Sequence, residues 1–148
     1  MKKNIAVAPM MDCTDRHEIY FLSLISKNTQ FYTEMIVANA IIKGKRDKLL
    51  SFKSISNPVA LQLGGSNPND LSEACRIAED YGYSEINLNL GCPSKKVQKN
   101  KFGACLMQEP DLVAKCIEAM SKATDLPITI KTRIGYNEVE NFNFLKSF

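Results

Sequence analysis

Strand-like and helix-like segments alternate along this chain, which predicts a parallel α/β fold: a partial (β/α)8 TIM barrel holding about the first five strands. Three observations carry that reading. Five apolar segments of strand length are separated by segments of helical periodicity. No GxGxxG follows the first strand, which disfavours a dinucleotide-binding half. Polar residues collect just past the strand ends: Asp12 beside Met10, Glu34, Gln62, Asn89 with Cys92, and Lys131. In a barrel those ends form one rim, where chemistry sits. A whole barrel takes about 250 residues. A chain of 148 residues predicts one unit, residues 1–148, that is the N-terminal part of a barrel truncated inside its strands.

The elements follow in order. Ile5-Ala6-Val7-Ala8, stopped by Pro9, reads as a buried strand. Thr14 or Asp15 caps a helix from about Arg16 to Ser26, with Phe21, Leu22 and Ile25 on one face. Phe31-Tyr32-Thr33 is the second strand, ending in Glu34-Met35 and followed by a loose helical stretch with Ala38, Ile41 and Ile42 and a polar connection from Lys43 to Asp47. Pro58 to Leu63 is the third strand, ended by Gly64-Gly65. Asn67-Pro68 starts a helix whose buried face is Leu71, Ala74, Cys75 and Ala78, and Gly82 closes it. Glu85 to Leu90 is the fourth strand. Asp111 to Ala123 is a helix with Leu112, Val113, Cys116, Ile117 and Met120 inward, and Pro127 to Thr132 is the fifth strand. Beyond Gly135 the pattern dissolves, with a helix able to begin between Asn137 and Phe148.

Composition narrows the function classes. Apolar residues make up 45% and charged residues 24%, which is globular rather than disordered. No apolar run reaches the roughly 20 residues of a membrane-spanning helix, and the N-terminus from Met1 to Asn4 lacks the apolar stretch of a signal peptide. The net charge of +3 neither demands nor excludes a nucleic-acid partner. Five widely spaced cysteines and one histidine predict no metal site and no disulfide scaffold. They suit reduced thiols in a cytoplasmic protein.

Several residues could carry chemistry. Asn87 and Asn89 share one face of the fourth strand and need partners, which a heteroaromatic ring with carbonyl and imide edges would supply. Cys92 stands between a glycine that permits an unusual turn and a proline that fixes it, as a nucleophile or proton donor or else as a buried turn cysteine. Lys131 interrupts an apolar segment, either as a rim cation or as a strand-end lysine in solvent. Gln62 is an amide in an apolar strand, and Gly64-Gly65 would let a ligand or a backbone come close. Asp15 reads as a cap, and His17 as surface. Lys95, Lys96, Lys99 and Lys101 crowd behind Cys92, suiting a polyanion or simply a solvated loop.

Taken together, six segments resemble the tRNA-dihydrouridine synthases, most closely their A-type branch. They are Ala8-Pro9-Met10-Met11-Asp12 with Thr14-Asp15-Arg16; Thr33-Glu34-Met35; Gln62-Leu63-Gly64-Gly65; Ile86 to Ser94; Phe102 to Met107; and Lys131 to Gly135. The resemblance implies an FMN-containing (β/α)8 barrel followed by a helical domain, reducing a D-loop uridine of tRNA, at position 20 or 20a, with NADPH. It implies that Pro9, Met10 and Met11 line the flavin, that Gln62 and Lys131 hydrogen-bond its ring, and that Asn89 lies near flavin and base. Cys92 becomes the proton donor, and Lys95, Lys96, Lys99 and Lys101 hold RNA. Asn100 stands where the family often has glycine, and tolerates a left-handed turn. The family's later histidine, phosphate loops and helical domain have no counterpart in the 148 residues. The expectation is therefore an N-terminal piece, inactive alone and prone to self-association, of an enzyme that needs no protein partner. Two rivals remain open: an FMN barrel acting on free pyrimidines, such as a dihydropyrimidine or dihydroorotate dehydrogenase, and a remnant that only binds RNA weakly.

Overall fold

A computed structural model of the chain describes residues 5–136, 139–140 and 142–148. Five strands, β1 (Ile5–Val7), β2 (Thr29–Val37), β3 (Val59–Gly64), β4 (Glu85–Asn89) and β5 (Ile128–Lys131), pair in sequence order. All four pairings are parallel, and the sheet curls into half of a (β/α)8 barrel. Parallel neighbours require crossovers. They are supplied by α1 (Arg16–Ile25), by α2 (Ala38–Lys43) with α3 (Arg46–Leu50), by α4 (Pro68–Glu79), and by α5 (Lys95–Lys99) with a 3-10 helix (Gly103–Gln108) and α6 (Pro110–Ser121).

Two helices form as their caps and periodicity dictate. Asn67 Oδ1 accepts the N–H groups of Asn69 and Asp70 at the start of α4, with Pro68 at the first helical position. Leu71, Ala74, Cys75 and Ala78 are fully buried. On α6, Val113, Cys116 and Met120 are buried, while Leu112 and Ile117 are half-buried at the margin. These faces pack on Leu61, Leu63, Ile86 and Leu88, so the core lies between sheet and helices. Gly82 turns the chain into β4 at φ 78°.

The structure corrects the sequence reading in several places. β1 forms, but Ile5 is 69% exposed because the strand has one neighbour only. On α1, capped by Asp15 rather than Thr14, Phe21 and Ile25 are exposed and Leu22 is half-buried; Ile19 and Ser23 are the buried side chains. β2 begins at Thr29, ahead of Phe31, and runs past the expected Glu34-Met35 end to Val37, because a register shift between Tyr32 and Met35 lets pairing continue through Glu34. The polar connection after Lys43 leads into a helical turn, α3, anchored by buried Leu50. The lysine loop is the short helix α5, held by buried Val97. Beyond Gly135 lies a small hairpin, β6 (Gly135–Tyr136) with β7 (Val139–Glu140), and then α7 (Phe142–Ser147). Met1 to Asn4, read for a signal peptide, and Asn137, read as a helix start, lie outside the described residues. No helix among the described residues is long and apolar enough to cross a membrane.

Candidate functional site

Strand alternation turns Gln62, Asn87 and Asn89 away from the helices, onto the barrel-interior face of β3 and β4. They are 1%, 3% and 9% exposed, and amides so buried need partners. They find them in one another. Asn89 Nδ2 donates to Gln62 Oε1, Gln62 Nε2 to Asn87 Oδ1, and Asn87 Nδ2 to Thr129 Oγ1, each at 2.8 Å. Asn89 Oδ1 accepts the backbone N–H groups of Gly91 at 3.2 Å and Cys92 at 2.9 Å. The partners expected of a bound ring are thus supplied by the protein, which orients these amides in advance.

Cys92 lies just past β4, half-buried. Asn89 holds its N–H, and its carbonyl accepts the N–H of Ala104 at 3.0 Å. The chain closes on itself through Gly103 at φ 76°, where an added Cβ would meet Val97 Cγ1 at 2.6 Å and the Cys92 carbonyl oxygen at 2.8 Å. Gly91, expected to permit an unusual turn, is not left-handed; its open side faces the β5 end, with Lys131 and Thr132 backbone atoms 3.4 Å from an added Cβ. The left-handed residues here are Gly103 and Lys101, at φ 57°, whereas Asn100 has φ −91°. Burial pushes the Cys75 thiol up to about 12 and raises those of Cys105 and Cys116.

The loop after β1 brings Met10 and Met11 to the same rim, 60% and 52% exposed. Buried Thr14 fixes it: its hydroxyl accepts Met10 N–H at 3.0 Å and donates to Met10 O at 3.2 Å. Asp12 sits at φ 62° and donates its N–H to the Glu34 carboxylate. Thr33, inside the β2 irregularity, accepts the Gln62 N–H at 3.0 Å where the ladder is interrupted. Sequence reasoning placed Thr33 and Glu34 at a strand end and in a family-like segment but gave neither a supporting role. The usable signal was a Thr-Glu pair set between Phe31-Tyr32 and the apolar run Met35-Ile36-Val37.

These rims enclose a cleft of about 1030 Å³ that brings together Pro9, Met10, Met11, Gln62, Asn89, Cys92, Lys96 and Lys131. Cys92 is the one cysteine lining it. Lys95, Lys99 and Lys101 stay outside the lining, exposed on α5 and the turn after it. Gly64 and Gly65 line the cleft, and the space on their Cβ side is already filled: an added Cβ would meet the Met35 sulfur at 2.9 Å in the first case and Leu71 at 3.2 Å in the second. A second cavity of about 450 Å³, beside α1 and β2, shares only Met11 with the candidate set. No cluster of three metal-ligating side chains occurs among the described residues. A thiol, a cation, two oriented amides and an apolar wall can bind a flat heteroaromatic ring and hand it a proton.

Residues 6–146 match the family described as dihydrouridine synthase. The chain is 54% identical to a tRNA-dihydrouridine(20/20a) synthase of Synechocystis over 97% of its own length and 43% of that protein's. It is 53% identical to the Vibrio parahaemolyticus protein of the same name, covering 97% of the chain and 44% of the relative. The Shewanella oneidensis protein of that name is 49% identical over 100% of the chain and 44% of its own length. The chain thus spans less than half the length of the curated relatives it matches.

Proposed function

The chain belongs to the dihydrouridine synthase family, and we propose that it forms the flavin- and uracil-facing part of a cytoplasmic tRNA-dihydrouridine synthase acting at D-loop position 20 or 20a. The observation that supports this most is the convergence of Met10, Met11, Gln62, Asn89, Cys92 and Lys131 on one cleft at the strand ends. That cleft fits FMN. Its volume of about 1030 Å³ suits a ligand of flavin size, and its apolar wall, amide floor and two lining lysines, Lys96 and Lys131, match a flat ring with carbonyl and imide edges. Bound there, FMN would supply the hydride for carbon 6 of the uracil, drawn from NADPH.

The protein's own residues do the rest. Pro9, Met10 and Met11 pack against the ring and exclude water. Lys131, exposed at the cleft, places a positive charge where the ring gains electrons. Gln62 keeps one N–H and one lone pair beyond the amide line, and Asn89 keeps one N–H for the base or ring. Cys92 gives its thiol proton to carbon 5 of the uracil as general acid. The uridine has to leave its stack to reach the cleft. Lys95, Lys96, Lys99 and Lys101, exposed beside Cys92, hold the RNA backbone without reading sequence. The test is to supply the protein as its gene encodes it, rather than residues 1–148 alone, with FMN, NADPH and either unmodified tRNA or free uracil, and to measure dihydropyrimidine formed. Dihydrouridine in tRNA is expected; turnover of free uracil alone would move the protein to the free-pyrimidine class.

A further inference from the structure

Glu85 takes no part in the chemistry above, yet the line of buried amides ends on it. Its carboxylate, at the start of β4, accepts the Thr129 hydroxyl, the Tyr32 hydroxyl at 3.0 Å and Gln30 Nε2 at 2.9 Å. An ionised carboxylate only accepts, and a threonine hydroxyl has one proton. Thr129 therefore spends that proton on Glu85 and turns a lone pair to Asn87. Asn87 must present its NH2 to Thr129 and its oxygen to Gln62. Gln62 then presents its oxygen to Asn89, whose own oxygen is left for the N–H groups of Gly91 and Cys92. Those backbone groups only donate. Both ends of the line thus impose the same direction, and every link donates toward Glu85. Turning over any one amide would set donor against donor on one side and acceptor against acceptor on the other, in a buried layer where such mismatches are costly. The Tyr32 hydroxyl stays a donor at working pH, since burial and then its bond to Glu85 push it up to about 12.

We propose that Glu85 is a positioning residue for Cys92, acting through Thr129, Asn87, Gln62 and Asn89 to hold the thiol-bearing loop in one conformation. Its bearing on uridine reduction rests on the proton-donor role given to Cys92 above; the relay itself does not.

The test follows site-resolved alkylation of all five cysteines by iodoacetamide in the protein as its gene encodes it, without flavin or tRNA. The variants are Glu85→Gln, which keeps the shape but can donate, Thr129→Val, which keeps the shape and removes both hydrogen bonds, and the double variant. Each single change is expected to speed alkylation of Cys92 about fivefold, the factor one net hydrogen bond represents. The double variant should be no faster than the faster single, because both cut one line. Buried Cys75 and Cys116 should stay protected, reporting an intact fold. Unchanged Cys92 reactivity in the two folded singles, or fully additive effects, overturns the proposal. If Glu85→Gln exposes Cys75 and Cys116, Thr129→Val decides alone; if both do, Glu85 is a fold residue and the proposal fails. A responsive Cys92 in a protein whose Cys92→Ala variant still reduces tRNA at the normal rate would keep the relay and remove the proton-donor role.

Discussion

Replacing Gly103 with alanine should damage the Cys92 loop by an amount that a second glycine calibrates. Gly103 and Gly82 have nearly the same backbone, φ 76° and 78°. Around Gly82 an added Cβ meets nothing within 4 Å, whereas at Gly103 it meets Val97 Cγ1 at 2.6 Å and the Cys92 carbonyl oxygen at 2.8 Å. Gly82→Ala therefore carries only the left-handed strain, about 1–2 kcal/mol. Gly103→Ala carries the same strain plus the overlap. The Val97 side chain can give a little, but the Cys92 carbonyl cannot move without losing its bond to Ala104 N–H, worth about 1 kcal/mol net. The expected losses are thus about 1–2 kcal/mol for Gly82→Ala and about 2–3 kcal/mol for Gly103→Ala, a fall in Tm of roughly 4–12 °C for the latter. Urea unfolding of the two variants side by side measures the difference, and only Gly103→Ala should alter Cys92 alkylation. Equal losses, or a Gly103→Ala protein with wild-type Cys92 reactivity, would refute the steric reasoning.

Other expectations follow from the same geometry. Cys92→Ala should leave flavin reduction by NADPH nearly intact and slow uridine reduction by about 10²-fold or more in single turnover; Cys75→Ala should instead lower Tm, since that side chain is fully buried. Reversing Lys95, Lys96, Lys99 and Lys101 to Glu should weaken all tRNAs alike, and the slope of log affinity against log salt should shrink by roughly 0.7–0.9 for each phosphate that is no longer neutralised. Asp15→Ala should cost about 1 kcal/mol at neutral pH through loss of the α1 cap. Because the N–H groups of Glu18 and then His17 hold the Asp15 carboxyl below its usual 3.8, that contribution is complete above the usual value and fades as pH falls below it; a difference between Asp15→Ala and wild type that persists unchanged at pH 2 would contradict the assignment. Residues 1–148 alone should bind FMN more weakly than about 1 µM by fluorescence quenching, because barrels anchor flavin phosphate at the last two strands; submicromolar binding with a sharp unfolding transition would show a self-sufficient site.

What the sequence made legible was whatever rests on local pattern. The α4 face, its Asn67-Pro68 start, the Gly82 turn and the strand-end placement of Gln62, Asn89, Cys92 and Lys131 all follow from spacing within a few residues. Long-range arrangements left no such trace. Phe21 and Ile25 look like a core face, but nothing among the described residues covers them, so they remain exposed. The irregularity in β2 depends on Thr33 bonding to the backbone of β3, a contact 29 residues away in sequence. The left-handed position fell on Lys101 rather than Asn100 because the 92–104 loop closes through Gly103 and the Cys92 carbonyl, which no local propensity encodes. Asn87 and Asn89 were legible as amides wanting partners; that Gln62 and Thr129 would be those partners required the register Gln62↔Asn87 and Asn87↔Thr129.

The two faces of the sheet divide the work. Barrel interiors are commonly filled by branched apolar side chains. Here β3 and β4 put three amides there and place Leu61, Leu63, Ile86 and Leu88, all fully buried, against the helices instead. Each such leucine or isoleucine contributes about 1.5–3 kcal/mol of burial free energy. That outer core can offset the cost of a polar interior and of the left-handed backbone at Asp12 and Lys101. Among the described residues, the non-glycine residues with positive φ lie in rim loops, Asp12 tied to Glu34 and Lys101 two residues before Gly103. None lies in a strand. Stability in this half-barrel therefore resides on the helix-facing side, while strain and polarity concentrate where Cys92 must be held in place. A variant that enlarges the outer core should raise Tm without moving Cys92, whereas any change to the amide line should move Cys92 first.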